Sequence, residues 1–566
     1  MNYIRRQDKT FRLIAVFVAA MVVLTLTLAA TPAQAQTQPH PPVFKVIYDV
    51  PGGSGEISSP DAFTTAQGRD GNIYTTSVYG GTQSYGTLFK VTPSGTATIV
   101  NSIGYFVVSG ATLGTDGNFY GTNQDGGPGG DCGFAGCGQV YKVTPSGVLT
   151  VLHNFTGYDD GADPQSAPIE GTDGKFYGTT PNSNGTAAST VYSVTSSGTF
   201  KTLHTFATAE GQSVSAGLVQ GTDGNFYGVA TTGGANNWGT IFKMTPTGDL
   251  TVLYSFCSLQ NCADGAAPYT PLIQASDGNF YGTTSKGGTA GVAFKITPGG
   301  TYSVLHNFVP QNGDGAYPSS SLVQATDGKL YGVTPSGGSG AYGTIYNITT
   351  SGTFTTLHTF ANTDGDNPQS PLKQNTNGLL YGTTYSGGTS TNCDGGGCGV
   401  VYSLNIGAKP FVSMVRPSGE VGAKVEILGQ ELKGTTGLSF NGTAATFTIV
   451  SNTYLTAIVP AGATTGTVQV TTSSATLSSN QAFRVTPQLK SFNPTSGPVG
   501  TPVTITGVSL TQTKKVTFGG VKATSFTVNS DTQVTANVPT GAKTGKIAIT
   551  TPGGSATSSG VFTVTQ

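Results

Sequence analysis

Charged residues are scarce in this sequence, and long apolar runs are absent after the first thirty residues. The 566 residues include 26 Lys and Arg and 27 Asp and Glu, which together make up 9% of the chain. Nucleic-acid binding depends on neutralising phosphates, so a net charge of −1 gives it no electrostatic basis. A bilayer span needs about 20 consecutive apolar residues. We therefore expect no nucleic-acid partner and no membrane span beyond the N-terminal segment.

The N-terminal segment is typical of a secretory signal peptide over residues 1–35. A basic stretch that includes Arg5 and Arg6 precedes an apolar run over residues 13–30, and small residues before Gln36 suit cleavage. An apolar run of 18 residues also fits an uncleaved membrane anchor, which is the alternative. Residues 36–42 predict a proline-rich spacer. We expect the chain to be secreted, outside the cell or at its surface, with the periplasm as the other exported compartment.

Cysteine occurs only six times, in three pairs with four residues between the partners. No histidine lies nearby, and the spacing is not the one that zinc sites prefer. In an oxidising compartment such local pairs predict disulfides that stiffen short loops, with metal ligation as the alternative. The predicted disulfides are Cys132–Cys137, Cys257–Cys262 and Cys393–Cys398.

Glycine is abundant, with 83 residues, and it recurs at fixed places within a repeat. The motif Asp/Asn-Gly-x-(Phe/Leu/Ile)-Tyr occurs seven times, at intervals of 46 to 57 residues. A period near fifty, built from short apolar runs and glycine-rich turns, is typical of a closed array of small sheets. The motif ends at Tyr74, Tyr120, Tyr177, Tyr227, Tyr281, Tyr331 and Tyr381.

Each repeat predicts four strands, which in the fourth repeat are residues 217–220, 225–230, 239–244 and 250–256. The chain enters the array on a fourth-strand sequence and leaves it on a third-strand sequence. The N-terminal strand is therefore expected to complete the last sheet and close the array. This phase favours a seven-bladed β-propeller over residues 43–407 rather than an open solenoid.

These repeats resemble the GloVer (Gloeobacter–Verrucomicrobia) tandem repeat of exported bacterial proteins, known as the choice-of-anchor family. The resemblance covers nearly all of residues 43–407, and a Gly-Gly pair follows the second strand in six of the seven repeats. Kelch repeats differ because Trp238 is the only tryptophan, and WD repeats differ because their Gly-His and Trp-Asp pairs are absent. The resemblance implies an exported repeat protein and supplies no catalytic residues.

Two further domains are expected at residues 408–486 and 487–566, and their sequences resemble each other. Residues 416–422 of the first correspond to residues 493–500 of the second. Both resemble IPT/TIG domains, which are immunoglobulin-like sandwiches, and their short alternating strands favour a sandwich independently. The predicted fold class is all-β: a seven-bladed β-propeller followed by two Ig-like (IPT/TIG) β-sandwiches. The resemblance implies that the two sandwiches are spacers or interaction modules.

Groups for acid–base or nucleophilic chemistry are few. Of five histidines, four share one position in the fourth strand, where a framework role is expected: His153, His204, His306 and His358. Neither acidic loop, at residues 159–163 or 364–366, has the spacing of a known calcium loop. The sequence predicts no cofactor, no metal and no catalytic residue.

Amide side chains recur at the end of the innermost strand. They are expected to satisfy backbone groups at the inner edge of the sheets, with a ligand-binding ring as the alternative. The recurring residues are Gln67, Gln220, Gln274, Gln324 and Gln374, with Glu170 in the third repeat.

Candidate ligand-binding residues lie where the repeats differ. The connections from second to third strands, and from fourth strands to the next repeat, should emerge on one face, and they carry all three cysteine pairs. Aromatic rings beside carboxylates suit neutral sugars or peptides, although the rings would alternatively only cover the ends of the sheets. The candidates are Tyr85, Phe134, Asp160, Trp238, Tyr342 and Tyr385.

The sequence thus predicts an exported, non-enzymatic binding or adhesion protein for a polysaccharide or a cell-surface protein. One alternative is a carbohydrate-active lyase or hydrolase, which would need two loop carboxylates about 5–10 Å apart in a cleft. The other is a purely structural surface protein.

Overall fold

The computed structural model describes residues 41–53, 55–60, 64–82, 84–104, 109–128, 132, 136–181, 188–393 and 396–566. The predicted signal peptide, most of the predicted spacer, and Phe134 lie outside the described residues. The described chain is all-β, with short 3-10 turns at Gln260–Cys262, Pro310–Asn312, Asn362–Asp364 and Leu432–Gly434. No helix among the described residues is long and apolar enough to cross a bilayer.

Each of the seven repeats forms one antiparallel sheet, named sheet 1 to sheet 7 in chain order. Within a sheet the strands follow in sequence order, and sheet 7 takes its fourth strand from the start of the chain. Sheet 1 carries an additional strand, Ile57–Pro60, which pairs with the far end of its second strand. The four strands predicted for the fourth repeat are present; the first is two residues long rather than four, and each of the others is one residue shorter than predicted.

The strands are as follows. Sheet 1 has Ala66–Gln67, Ile73–Gly80, Thr87–Val91 and Ala97–Ser102; sheet 2 has Thr112–Leu113, Phe119–Asn123, Gln139–Val143 and Leu149–Asn154; sheet 3 has Ile169–Glu170, Phe176–Thr180, Thr190–Val194 and Phe200–Thr205. Sheet 4 has Val219–Gln220, Phe226–Ala230, Thr240–Met244 and Leu250–Ser255; sheet 5 has Ile273–Gln274, Phe280–Thr284, Val292–Ile296 and Tyr302–Asn307. Sheet 6 has Val323–Gln324, Leu330–Thr334, Thr344–Ile348 and Phe354–Thr359; sheet 7 has Lys373–Gln374, Leu380–Thr383, Val400–Asn405 and Val43–Asp49. A short ribbon pairs Gly315–Ala316 with Ser336–Gly337.

A glycine follows six of the seven motif tyrosines, with Thr75 after Tyr74 in sheet 1, and it makes room for an aromatic ring of the neighbouring strand. A Cβ on Gly228 would lie 2.5 Å from the ring of Phe242, which sits opposite it in the third strand. The same conflict, with Tyr402, would arise at Gly382. The second strands are buried on both faces because a sheet packs on each side of them. The Phe-Tyr-Gly sequence is therefore a packing unit.

The seven sheets contact one another in a cyclic order. Each consecutive pair of sheets shares one cluster of buried apolar residues. Sheets 7 and 1 share a cluster that contains Val50, Phe89 and Val401. The N-terminal strand Val43–Asp49 pairs antiparallel with Val400–Asn405, as its sequence predicts. Phe44 in this strand stacks on His358 of sheet 6, with ring centroids 3.8 Å apart.

The recurring amides connect the inner ends of neighbouring sheets. The side-chain oxygen of Gln274 accepts a hydrogen bond from Thr222 N of the preceding sheet at 2.8 Å, and Gln67 accepts one from Thr376 N at 3.0 Å, which joins sheet 1 to sheet 7. Sheet 2 has Leu113 at this position, and there Arg69 of sheet 1 donates to Thr115 O at 2.6 Å. The amides therefore satisfy backbone groups, as expected. The other acceptors of this kind are Glu170, Gln220, Gln324 and Gln374.

Two C-terminal domains follow, each with one four-stranded and one five-stranded sheet and the same strand order. Each has its own apolar core, around Phe440 and Phe483 in the first and around Phe518 and Phe562 in the second. In the first domain, the four-stranded sheet contains Ser413–Met414, Lys424–Leu428, Tyr454–Ile458 and Phe447–Ile449. Its five-stranded sheet contains Ser418–Gly419, Thr476–Val485, Gly466–Thr472, Thr435–Phe440 and Thr443–Ala444. In the second domain, the four-stranded sheet contains Gln488–Asn493, Pro502–Val508, Gln533–Asn537 and Phe526–Ser530. Its five-stranded sheet contains Ser496–Gly497, Gly554–Val564, Gly545–Thr551, Lys515–Phe518 and Val521–Lys522.

Candidate functional site

The connections from second to third strands, and from fourth strands to the next sheet, leave the sheets at the same end. We call this end the loop face, and the end with the Asp-Gly turns the turn face. Backbone hydrogen bonds tie the loop face together: Trp238 O accepts from Ala267 N at 2.9 Å, and Tyr342 O accepts from Asn367 N at 3.2 Å. Each such bond joins one sheet to the connection that leads into the next. At these described positions the backbone of the loop face is held by the fold.

All clearly exposed aromatic side chains of the described residues lie on the loop face. Trp238 is 42% exposed, Tyr85 51% and Tyr317 54%. Two others that were not among the sequence candidates, Tyr79 and Tyr158, are also exposed there. Tyr158 lies in the same class of connection as the candidates, a signal that would have identified it, whereas Tyr79 lies near the end of the second strand Ile73–Gly80. Aromatic exposure is thus confined to one end of the sheets.

Tyr85, Trp238 and Tyr342 occupy one register, two residues before the third strand, in sheets 1, 4 and 6. These sheets are not neighbours in the cycle, so the structure distributes the three rings around the face rather than gathering them. Tyr342 is only partly exposed because its ring packs on the apolar cluster between sheets 6 and 7. Tyr385 is also partly buried, and its backbone N–H donates to Asn367 O.

One sector of the loop face has neighbouring groups from successive sheets. The ammonium group of Lys286, in sheet 5, lies 5.9 Å from the centre of the Trp238 ring, within range of a cation–π contact. Tyr317 leads into sheet 6, and its backbone N–H donates to Ala290 O of sheet 5 at 2.9 Å. We name Trp238, Lys286 and Tyr317 the aromatic sector. Lys286 was not a sequence candidate, since its position in the loop has no fixed spacing from Trp238.

Asp160 has its hydrogen bonds within its own loop. Its carboxylate lies 3.0 Å from His153 Nε2 and accepts from the N–H and hydroxyl of Thr156. Burial alone would raise the pKa of Asp160, but the hydrogen bonds from His153 and Thr156 outweigh burial and lower it. The carboxylate therefore fastens the connection that carries Tyr158.

A similar pairing of a ring with a loop acid recurs in other sheets. In three further sheets the fourth strand supplies a ring that donates to an acid in the following connection, in sheet 6 the ring and the acid lie only at ion-pair distance, and in all four sheets the acid accepts from a nearby backbone N–H. The side-chain pairs are His204 with Glu210, Tyr254 with Asp264, and His306 with Asp314, at 3.0, 2.6 and 3.0 Å; His358 and Asp364 lie 3.2 Å apart. The acids accept from Ala207, Ser258, Val309 and Ala361 N. These carboxylates serve the loops, and the histidines have the framework role that the sequence predicts.

The three predicted disulfides are present on the loop face. They join Cys132 to Cys137, Cys257 to Cys262 and Cys393 to Cys398. The second closes the loop that carries exposed Leu259, next to the aromatic sector. Covalent closure of such short loops limits their conformations.

The first C-terminal domain packs on the turn face. The guanidinium group of Arg69 lies 4.6 Å from the centre of the Tyr454 ring, and Thr453 Oγ1 donates to Arg69 O at 2.7 Å. Gln430 Nε2 donates to Thr376 Oγ1 at 2.9 Å. Arg69, which lies beside the Asp-Gly turn of sheet 1, therefore has a role in domain packing. The loop face lies at the other end of the sheets from this contact.

The sheet cycle and its repeats define an all-β tandem-repeat protein. A family model described as the Gloeobacter/Verrucomicrobia repeat matches residues 60–262, 107–323 and 258–450, and an IPT/TIG domain model matches residues 487–564. The chain belongs to the Gloeobacter/Verrucomicrobia repeat family and has a C-terminal IPT/TIG domain, so the resemblance seen in the sequence is confirmed for the repeats and for the second of the two C-terminal domains.

Among solved structures, a surface glycan-binding protein of Prevotella bryantii is 20% identical, with a TM-score of 0.21, over 27% of this chain and 41% of its own. A protein from a complex xyloglucan utilization locus of Bacteroides uniformis is 24% identical, with a TM-score of 0.14, over 27% of this chain and 48% of its own. The extracellular domain of a hybrid two-component system of B. thetaiotaomicron is 13% identical, with a TM-score of 0.42, over 78% of this chain and 57% of its own. The chain spans less than half the length of the first two. No curated protein sequence is significantly similar to the chain.

Proposed function

We propose that this chain is an exported binding protein whose loop face recognises a neutral polysaccharide. The observation that carries the proposal is the confinement of the exposed aromatic side chains to the loop face, with Trp238 and Tyr317 on either side of sheet 5. Flat exposed rings give apolar contact area to sugar rings while leaving the sugar hydroxyls hydrated at their edges. An extended ligand suits the face because its rings are distributed around the cycle.

The framework that supports this face is, in our proposal, a seven-bladed β-propeller over residues 43–407. Seven sheets in cyclic contact, with the last completed by the N-terminal strand, support this architecture. We propose that residues 408–486 form a second IPT/TIG domain, because their strand order equals that of the matched domain. Three disulfides support export to an oxidising compartment, with residues 1–35 as the signal peptide.

The roles of the loop acids favour binding over catalysis. Glycoside hydrolysis needs two carboxylates that converge on one bond. Asp160, Asp264 and Asp314 belong to different sheets, and each carboxylate accepts hydrogen bonds from its own connection. We therefore assign Asp160 the role of positioning the loop with Tyr158, and the ligand contacts to Tyr85, Trp238, Tyr317, Tyr342 and Tyr385.

Affinity electrophoresis against neutral polysaccharides (a β-glucan, a xylan, a mannan and amylopectin) tests the proposal. We expect at least one polysaccharide to retard the chain, and we expect Trp238→Ala and Tyr317→Ala each to weaken that binding about tenfold, since stacked rings dominate such contacts. Val148→Ala is the matched control, because Val148 is an exposed apolar residue at a turn-face hairpin.

The control variant should bind like the wild type. Lack of retardation by every polysaccharide, or equal binding by the wild type and both aromatic variants, would refute the proposal. Capture of a protein partner that depends on Trp238, without any polysaccharide binding, would favour protein recognition instead.

A further inference from the structure

A cavity of about 650 Å³ lies between the inner strands of sheets 4 to 7 and the first C-terminal domain. It is separate from the loop face, because it lies on the turn-face side where the C-terminal domain packs. Val219, Ile273 and Val323 supply an apolar wall at one equivalent position of three inner strands. A water molecule takes about 30 Å³ in the liquid, so the cavity has room for a ligand the size of a small aromatic acid or a monosaccharide.

Lys373 stands where the three preceding sheets have a branched aliphatic residue. It pairs with Tyr381 in the same register that Val323 has with Tyr331. Among the described residues no carboxylate or other acceptor contacts its ammonium group, and burial lowers the pKa of Lys373. Lys373 is partly exposed, and a cation that is partly withdrawn from water without a counter-charge still costs some stability. Packing alone would be served better by valine, so the lysine needs another explanation.

Arg484 brings a second cation to the cavity from the first C-terminal domain. Its one side-chain hydrogen bond among the described residues goes from Nη1 to Gly221 O at 3.4 Å, which leaves most of the guanidinium donors for other partners. The lining residues include Lys373 and Arg484 but no aspartate or glutamate. The lining therefore has two positive groups and no negative one, and the carboxylate nearest in effect is that of Asp223, which lies outside the lining and raises the pKa of Arg484 against the larger effect of burial.

The glutamines of the lining are already used by the fold. Gln274 accepts from Thr222 N and donates to Gly278 O, and Gln324 accepts from Ser276 N and donates to Gly328 O. By contrast, the exposed carboxamides of Asn480 and Gln481 line the cavity without a side-chain hydrogen bond among the described residues. A ligand would thus meet two cations, an apolar wall and, at the exposed side, two carboxamides.

We propose that this cavity binds a small organic carboxylate, with the acid group at Lys373 and Arg484 and the body of the molecule against Val219, Ile273 and Val323. A guanidinium group matches a carboxylate with paired N–H donors, and the ammonium group adds a point charge. The aliphatic wall suits an apolar carboxylic acid, and the carboxamides at the exposed side suit a sugar acid.

Isothermal titration calorimetry of the chain with benzoate and with galacturonate distinguishes an apolar carboxylic acid from a sugar acid. Benzyl alcohol and galactose are the uncharged counterparts. We expect at least one acid to bind about tenfold more tightly than its counterpart, because only the acid pairs with both cations. Lys373→Val and Arg484→Gln should each reduce that affinity about tenfold. Lys329→Val is the control, since Lys329 is exposed and does not line the cavity.

Lys373→Val has a second expected effect that a merely structural lysine would not show. It should raise the Tm of the ligand-free chain, because it replaces an unpaired cation by the residue that sheets 4 and 6 use. If both acids bind no better than their counterparts, or if Lys373→Val and Arg484→Gln bind like the wild type, the proposal is refuted. If Lys373→Val does not fold, Arg484→Gln alone decides. Loss of polysaccharide binding by Trp238→Ala leaves this site unaffected, so the two proposals fail separately.

Discussion

At the scale of single residues, the motif aspartate and the motif tyrosine act as a pair. Asp277 accepts from the backbone and side chain of Asn279, and from Tyr281 Oη at 2.7 Å. Sheet 7 has Asn377 instead, whose Nδ2 donates to Tyr381 Oη at 2.8 Å. Either residue therefore fits the turn, but only aspartate makes the stability of the turn depend on pH.

This pairing predicts how Asp277 variants behave. Asp277→Ala should lower the free energy of unfolding by about 1–2 kcal/mol because three donors lose their acceptor, whereas Asp277→Asn should cost less because Asn377 shows a working arrangement. Burial alone would raise the pKa of Asp277, but hydrogen bonds from Tyr281 and Asn279 leave the pKa below its ordinary value. Its stabilising effect is therefore complete above the ordinary pKa of about 4 and is lost as the pH falls through the lowered one.

Thermal unfolding from pH 7 to pH 2.5 measures this effect. The Tm difference between the wild type and Asp277→Asn should shrink below pH 4. A difference that stays constant or grows in acid would contradict the assigned hydrogen bonds.

For the histidines, the sequence predicted the role of the side chains but not their partners. Their shared position was visible in the sequence, and so was their framework role. Their acidic partners were not, because the separation changes with loop length: seven residues for His153, six for His204 and eight for His306. Asp160 was consequently predicted to bind the ligand, whereas the structure shows its carboxylate hydrogen-bonded to His153 and Thr156. The contact between ring and acid recurs, but the number of residues between them varies, so the sequence does not show it.

At the scale of elements, the N-terminal strand Val43–Asp49 was predictable because its sequence is that of a fourth strand without the preceding three. The inner strand of the fourth repeat was predicted too long. Leu218 turns into the cluster between sheets 3 and 4 rather than continuing the ladder, so only Val219 and Gln220 pair. Alternation alone does not show where pairing ends, since core packing decides it.

Removal of the N-terminal strand tests the closure of the sheet cycle. A chain that starts at residue 51 exposes one edge of Val400–Asn405, in which Val400, Val401 and Tyr402 are fully buried. We expect its Tm to fall by at least about 5 °C. A synthetic peptide of residues 42–50 should restore the Tm by strand addition, and a peptide with Ser in place of Phe44 and Val46 should not. An unchanged Tm would contradict the closed cycle.

At the scale of the whole molecule, the two ends of the sheets have different surroundings. The first C-terminal domain packs on the turn face through Arg69, Thr453 and Gln430, while the loop face carries the exposed rings. The sequence located both domains but not this contact. Arg69 and Tyr454 are 385 positions apart in different domains, and no spacing or composition rule relates them. Contacts between domains depend on surface shape, which the pattern of strands does not encode.

The central claim is that the loop face binds the ligand. Hydrogen–deuterium exchange of the full chain, with and without the polysaccharide that retards it most, tests this claim directly. We predict slower exchange at residues 231–239, 256–267 and 309–318, which surround the aromatic sector, and unchanged exchange in the Asp-Gly turns and in residues 487–566. Protection confined to the turn face or to the C-terminal domains would contradict the claim.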